Sequence, residues 1–253
     1  MIRDLATVIW KEYREFARGA GKGRLGTLIF VGVFGVLFPL QEGLDWFTGP
    51  LPLVYFCLLP ATMVMGWVAD SFAGERERHT LETLLASRLP DGAILWGKVL
   101  ALVLYSWAIS ILGLLSSALA VNIASWDGRV HFYPSYILLG TLSLSLLLAG
   151  LTTALGVLIS LRAATVRQAA QRLSLGILVV GWMPFVVLSA FPGAREALAR
   201  WLDEATREVG SPQGVFIRAL PLGLLFLLLV DGTLLAMARA RFHRSRLILE
   251  KGR

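Results

Sequence analysis

Cysteine is nearly absent: Cys57 is the only one in 253 residues, and it lies inside an apolar run. That excludes a disulfide framework and a thiolate metal site and leaves Cys57 as a small apolar packing residue. Histidine is scarce too. His79, His131 and His243 fall in three separate segments, so no metal cluster is expected. Neither H-E-x-x-H nor G-x-S-x-G occurs, and no catalytic residue is assigned. A phosphate-binding loop is missing as well. In Gly19-Ala20-Gly21-Lys22-Gly23, the lysine is followed by glycine and the first glycine of G-x-x-x-x-G-K-[ST] is lacking. Gly21–Gly26 matches G-x-G-x-x-G, but no strand precedes it and an apolar run follows, which predicts a flexible basic hinge. Charged residues are 16% of the chain, well below the roughly 25% of soluble domains.

The apolar residues, 56% of the total, come in long blocks. A helix needs about 20 mostly apolar residues to cross a hydrocarbon core of roughly 30 Å. Six blocks qualify: 25–41, 51–69, 94–121, 136–161, 173–191 and 215–238. Their continuous apolarity, without the alternation of barrel strands, predicts helices. The expected fold is therefore an all-α membrane protein with six transmembrane helices. Pro39, Pro60, Pro184 and Pro221 lie within blocks and predict bends there.

Lysine and arginine in the connecting segments set the expected orientation. Nineteen of the 24 fall in residues 1–24, in the loops after the second and fourth spans, and in the tail. This predicts a multi-pass protein of the cell inner (plasma) membrane with both termini cytoplasmic. It also accounts for the net charge of +7 without nucleic acid.

Segment 1–24 is no cleaved signal peptide: it carries Asp4, Glu12 and Glu15, and no small-residue cleavage site follows. Ile2, Leu5, Ala6, Ile9, Trp10, Tyr13, Phe16 and Ala17 recur at helical steps, opposite Arg3, Asp4, Lys11, Glu12, Arg14 and Arg18. The pattern predicts a cytoplasmic amphipathic helix that lies on the membrane surface or packs on another cytoplasmic protein. A second amphipathic pattern, around Leu198, Trp201 and Leu202, predicts a short interfacial helix on the outer side. Asp231, inside the sixth block, should face a wet pathway or an intramembrane partner such as an arginine of another helix.

The segment 70–92 is the most informative. Good helix formers run from Glu75 to Leu89. Leu81, Leu84, Leu85 and Leu89 make an apolar stripe, Arg78 and Glu82 are spaced to pair, and Pro90 closes the run. An amphipathic helix over 75–89, joined to two spans, is the expectation.

The run Phe72-Ala73-Gly74-Glu75-Arg76-Glu77-Arg78-His79-Thr80-Leu81-Glu82-Thr83-Leu84-Leu85, followed by Gly97-Lys98, resembles the ABC type-2 transporter permeases. The start Trp10-Lys11-Glu12 and the order of helices resemble them too. His79 stands where that family usually has glycine. The resemblance implies that the 75–89 helix is a coupling helix docking on a separate ABC ATPase. Glu75, Arg76, Glu77, Arg78, Thr80, Leu81 and Glu82 would then be the coupling residues. It further implies a second permease subunit, identical or similar, and an exporter of which this chain is no enzyme. ATP and Mg would sit on the ATPase, with no cofactor in this chain. The alternative from the residues alone is an ATP-independent secondary carrier or a membrane scaffold. A carrier would show internal repeats, and the halves 1–126 and 127–253 show none.

Overall fold

A computed structural model describes residues 2–18, 20–80 and 86–242, and among these no strand occurs. The helices are α1 (Ile2–Arg18), α2 (Ala20–Gly32), α3 (Phe38–Glu42), α4 (Leu51–Met63), α5 (Met65–Glu77), α6 (Asp91–Ala124), α7 (Ser135–Ser160), α8 (Val166–Ala190), α9 (Pro192–Val209) and α10 (Pro212–Arg241). A π-helical stretch, Val33–Leu37, joins α2 to α3, and a 3-10 stretch, Gly43–Phe47, follows α3. Among the described residues, five segments are long and apolar enough to cross a membrane: Leu25–Phe47, Leu51–Glu77, Asp91–Ala124, Ser135–Ser160 and Gln213–Arg241. The remaining expected span, 173–191, falls on α8 and its capping Phe191, outside those five.

The prolines act locally. Pro39 has no N–H, and the π-helical turn directly precedes it, with Phe38 N–H reaching back to Val33 O. The second span is interrupted at Val64, four residues after Pro60. Pro221 lies within an unbroken α10, and α8 is recorded unbroken through Pro184. The glycine-rich stretch 21–26, read from sequence as a hinge, is instead helical, part of α2. At a membrane entry the backbone closes its hydrogen bonds internally because little water competes for them.

Helix α7 is the hub, packing on α4, α5, α6, α8 and α10. Its small residues permit this. Gly156 meets Val68 of α5 and Leu173 of α8, and Gly140 meets Leu53 of α4 with Phe216 and Leu220 of α10. Buried Thr141, Ser145, Thr152, Thr153 and Ser160 continue the surface, the packing use of small hydroxyl residues. At the basic end of the bundle, Phe72, Ile94, Leu95, Val157, Leu158, Ala238 and Phe242 form one core. At the opposite end, Phe30, Trp46, Phe56, Ile109, Val121 and Tyr133 form another.

Part of helix α1, read from sequence as lying on the membrane surface or packing on another cytoplasmic protein, is buried within the chain itself. It docks on its own chain. Val8 abuts Gly97, and Phe16 packs on Trp67 and Tyr105. From Val8 to Phe16 the contacts climb α6 from Gly97 to Tyr105.

Candidate functional site

The last turns of α5 carry the charged motif. They do not begin a separate helix; they end the second span. Ser71, Phe72, Ala73, Gly74 and Glu75 are buried, Arg76 is half-buried, and Glu77, Arg78, His79 and Thr80 are exposed. The expected helix over 75–89 is therefore corrected. It stops after Glu77, and 86–89 are turn and bend leading to the extended Pro90 that caps α6. Leu81, Glu82, Leu84 and Leu85 lie outside the described residues, so the coupling assignment to Leu81 and Glu82 and the Arg78–Glu82 pair fall there.

The stop has an identifiable cause. Thr80 N–H donates to Glu75 O at 2.9 Å, and His79 N–H donates to Arg76 O at 3.1 Å. These are the two bonds of a Schellman cap, which requires a left-handed residue just past the helix. His79 supplies it with φ +58°. The glycine usual in the resembling family would take this conformation freely. With histidine at that position, the sequence lacks the glycine that ordinarily marks such a stop.

The buried half of the motif gathers three distant segments around Lys98. The Lys98 ammonium, 1% exposed, donates to Glu12 Oε1 at 2.9 Å, Glu75 Oε1 at 3.0 Å and Ser71 O at 2.9 Å. All three of its protons are thereby satisfied. It also lies 5.3 Å from the Phe72 ring centroid, within cation–π range. Lys11 adds a second ammonium, 3.1 Å from Glu75 Oε1, 3.2 Å from Glu15 Oε1 and 3.6 Å from Glu12 Oε1. Burial alone would lower the Lys11 pKa; Glu75, Glu12 and Glu15 together outweigh it and hold it above its ordinary value. Glu75 Oε2 is buried with no hydrogen-bond partner among the described residues.

Gly97 explains why the helices come so close. A Cβ there would lie 2.5 Å from Val8 Cγ1, so only glycine lets α1 approach near enough for Glu12 to reach Lys98. The Gly-Lys pair thus has two jobs: clearance and charge.

The same turn of α5 clamps the α7–α8 junction. Arg76 donates to Ala163 O at 2.7 Å and to Leu161 O at 2.8 Å, satisfying carbonyls at the end of α7. Glu77 Oε2 accepts from Val166 N–H, the first residue of α8, at 3.0 Å, a favourable place for negative charge. Ser160 Oγ accepts from Ala73 N–H and donates to Ala69 O, both at 2.9 Å. On the exposed side, Arg78 pairs with Asp70 at 3.1 Å. The hydrogen bond to Asp70 holds the Arg78 pKa above its ordinary value.

A family model described as ABC-2 type transporter matches residues 3–205. The chain belongs to that family. No curated protein sequence matches it. As an ABC-2 permease it is a multi-pass transport protein, and the matched range holds every residue of the Lys98 cluster and the α7–α8 clamp. Of the coupling residues expected from sequence, the structure turns Glu75 inward onto Lys98, half-buries Arg76 and leaves Glu77, Arg78 and Thr80 exposed. Sequence reading missed Glu12, Lys11, Ser160 and Lys98 as members of one site, although Trp10-Lys11-Glu12 and Gly97-Lys98 were visible as motifs.

Asp231 lies outside both the matched range and the cluster. It is 6% exposed on α10, and a Cβ on Gly150 of α7 would be 2.6 Å from its Oδ2. Oδ1 has no hydrogen-bond partner among the described residues. Among the described residues no ion pair to an arginine is formed.

Proposed function

We propose that this permease forms, with a second identical or similar permease, the path of an exporter driven by a separate ABC ATPase that binds ATP and Mg. In this reading it has six spans, α8 being the fifth, and both termini are in the cytoplasm beneath the plasma membrane. The ATPase docks on the cap after α5: exposed Arg78, His79 and Thr80, with Leu81 and Glu82 beyond. Glu75, Arg76 and Glu77 transmit the load rather than touch the ATPase.

One observation carries the reading. The span Leu51–Glu77 ends directly in an exposed charged cap, and its final turn is bonded to α1, α6, α7 and α8 at once. A push on that cap moves several spans together, the hinge or rocking motion of switching membrane proteins. Asp231 fits pathway lining or pairing with a cationic group if α10 parts from Gly150 during the cycle.

The test is co-purification with the candidate ATPase and transport in vesicles. Arg78→Glu should insert and fold normally, yet lose ATPase binding or its stimulation. Normal binding and transport by that variant would overturn the docking assignment.

A further inference from the structure

Helix α1 buries the wrong arc for a helix sorted by hydrophobicity alone. Its apolar arc centres on Ile9 and Tyr13, with Trp10 and Ala6 at one edge. Its buried residues are Val8, Glu12 and Phe16. The buried arc is turned about a quarter of the circumference from the apolar one at 3.6 residues per turn, because Glu12 must reach Lys98. The turn leaves part of the apolar arc uncovered. Trp10 is 63% exposed and Ala6 is exposed, alongside exposed Arg3, Thr7 and Arg14 on one stripe. The exposed Arg14 guanidinium sits over the Trp10 ring, 5.4 Å from its centroid.

We propose that this stripe is a binding surface for anionic phospholipid headgroups of the inner leaflet, with Trp10 in the interfacial layer and Arg3 and Arg14 on the phosphates. An aromatic ring flanked by arginines matches a layer that is apolar beneath and anionic above. Because Glu12 of the same helix holds Lys98, lipid recognition would be mechanically continuous with the ends of α5 and α6. The inference rests on the inward orientation of the N-terminus and on no property of an ATPase.

The test uses the full-length permease in nanodiscs of phosphatidylcholine containing a minor share of phosphatidylglycerol, without ATPase or nucleotide. Bromines are placed on one lipid or the other at equal mole fraction, and the Trp10 signal is the difference between wild type and Trp10→Phe. Brominated phosphatidylglycerol should quench that signal roughly twofold or more beyond brominated phosphatidylcholine, since each arginine near an anionic surface favours it severalfold. Arg3→Gln with Arg14→Gln should remove the preference, and added salt should weaken it in the wild type. No quenching by either lipid would mean that protein covers the stripe. Equal quenching, or a preference indifferent to salt, would mean no headgroup recognition. Each of these outcomes overturns the proposal while leaving the ATPase docking reading to its own assay.

Discussion

At His79 the backbone adopts φ +58° to close the cap on α5, and a side chain with a Cβ resists that conformation by about 1–2 kcal/mol. His79→Gly should therefore raise the melting temperature, by about 1 kcal/mol of stability, whereas His79→Val should lower it. Thermal unfolding in detergent reads both. Lys98 poses a different question, because its charge is wholly buried. Removing one partner of such a cluster strands the others, at a cost of about 3–5 kcal/mol. Lys98→Met alone should be severely destabilised, and adding Glu12→Gln and Glu75→Gln should recover much of the loss. No recovery would mean that the carboxylates matter for something other than Lys98. Sequence marks these residues only singly. Glu12, Glu75 and Lys98 are scattered along the chain, and no local pattern states that two carboxylates share one ammonium.

Among the elements, α1 and the α6–α7 loop show how little a helix's own pattern fixes its neighbour. The moment of α1 was legible from residue spacing. Its docking angle was not, because that depends on the clearance at Gly97. Gly97→Leu should push α1 away, expose the Val8–Phe16 face and speed protease cleavage within residues 2–18, while the other spans stay protected. In the α6–α7 loop, hydrogen bonding to the His131 ring, helped by Arg129 N–H, holds the Asp127 carboxyl below its ordinary 3.8. A lowered folded-state value stabilises above the unfolded pKa and is lost as pH falls through the folded one. The order of loop 125–134, followed by hydrogen exchange, should therefore hold down to about pH 4 and decline only in stronger acid.

Across the whole molecule, exposure is uneven. In the apolar window of Gln213–Arg241 only 6% is buried, and Leu222, Leu225, Phe226, Leu228 and Leu229 point outward. Lipid or a second permease must cover them. If an identical second permease does, Phe226→Cys should form a disulfide-linked dimer when isolated membranes are treated with an added thiol oxidant such as copper–phenanthroline. Cys57 is buried, so it will not confuse the result. A strictly monomeric Phe226→Cys product would place lipid there instead.

The sequence by itself determined the class and layout: blocks of membrane-spanning length, their polar punctuation and the family motif are all local, and a bilayer leaves the backbone of a long apolar block few options besides a helix. Tertiary structure decided what the motif residues do. Whether Glu75 faces solvent or Lys98 and which arc of α1 is buried depend on contacts between segments dozens of residues apart. Those contacts are set by clearances such as Gly97 against Val8 and by the cost of leaving a buried charge unpaired, neither of which is written in the periodicity of a single helix.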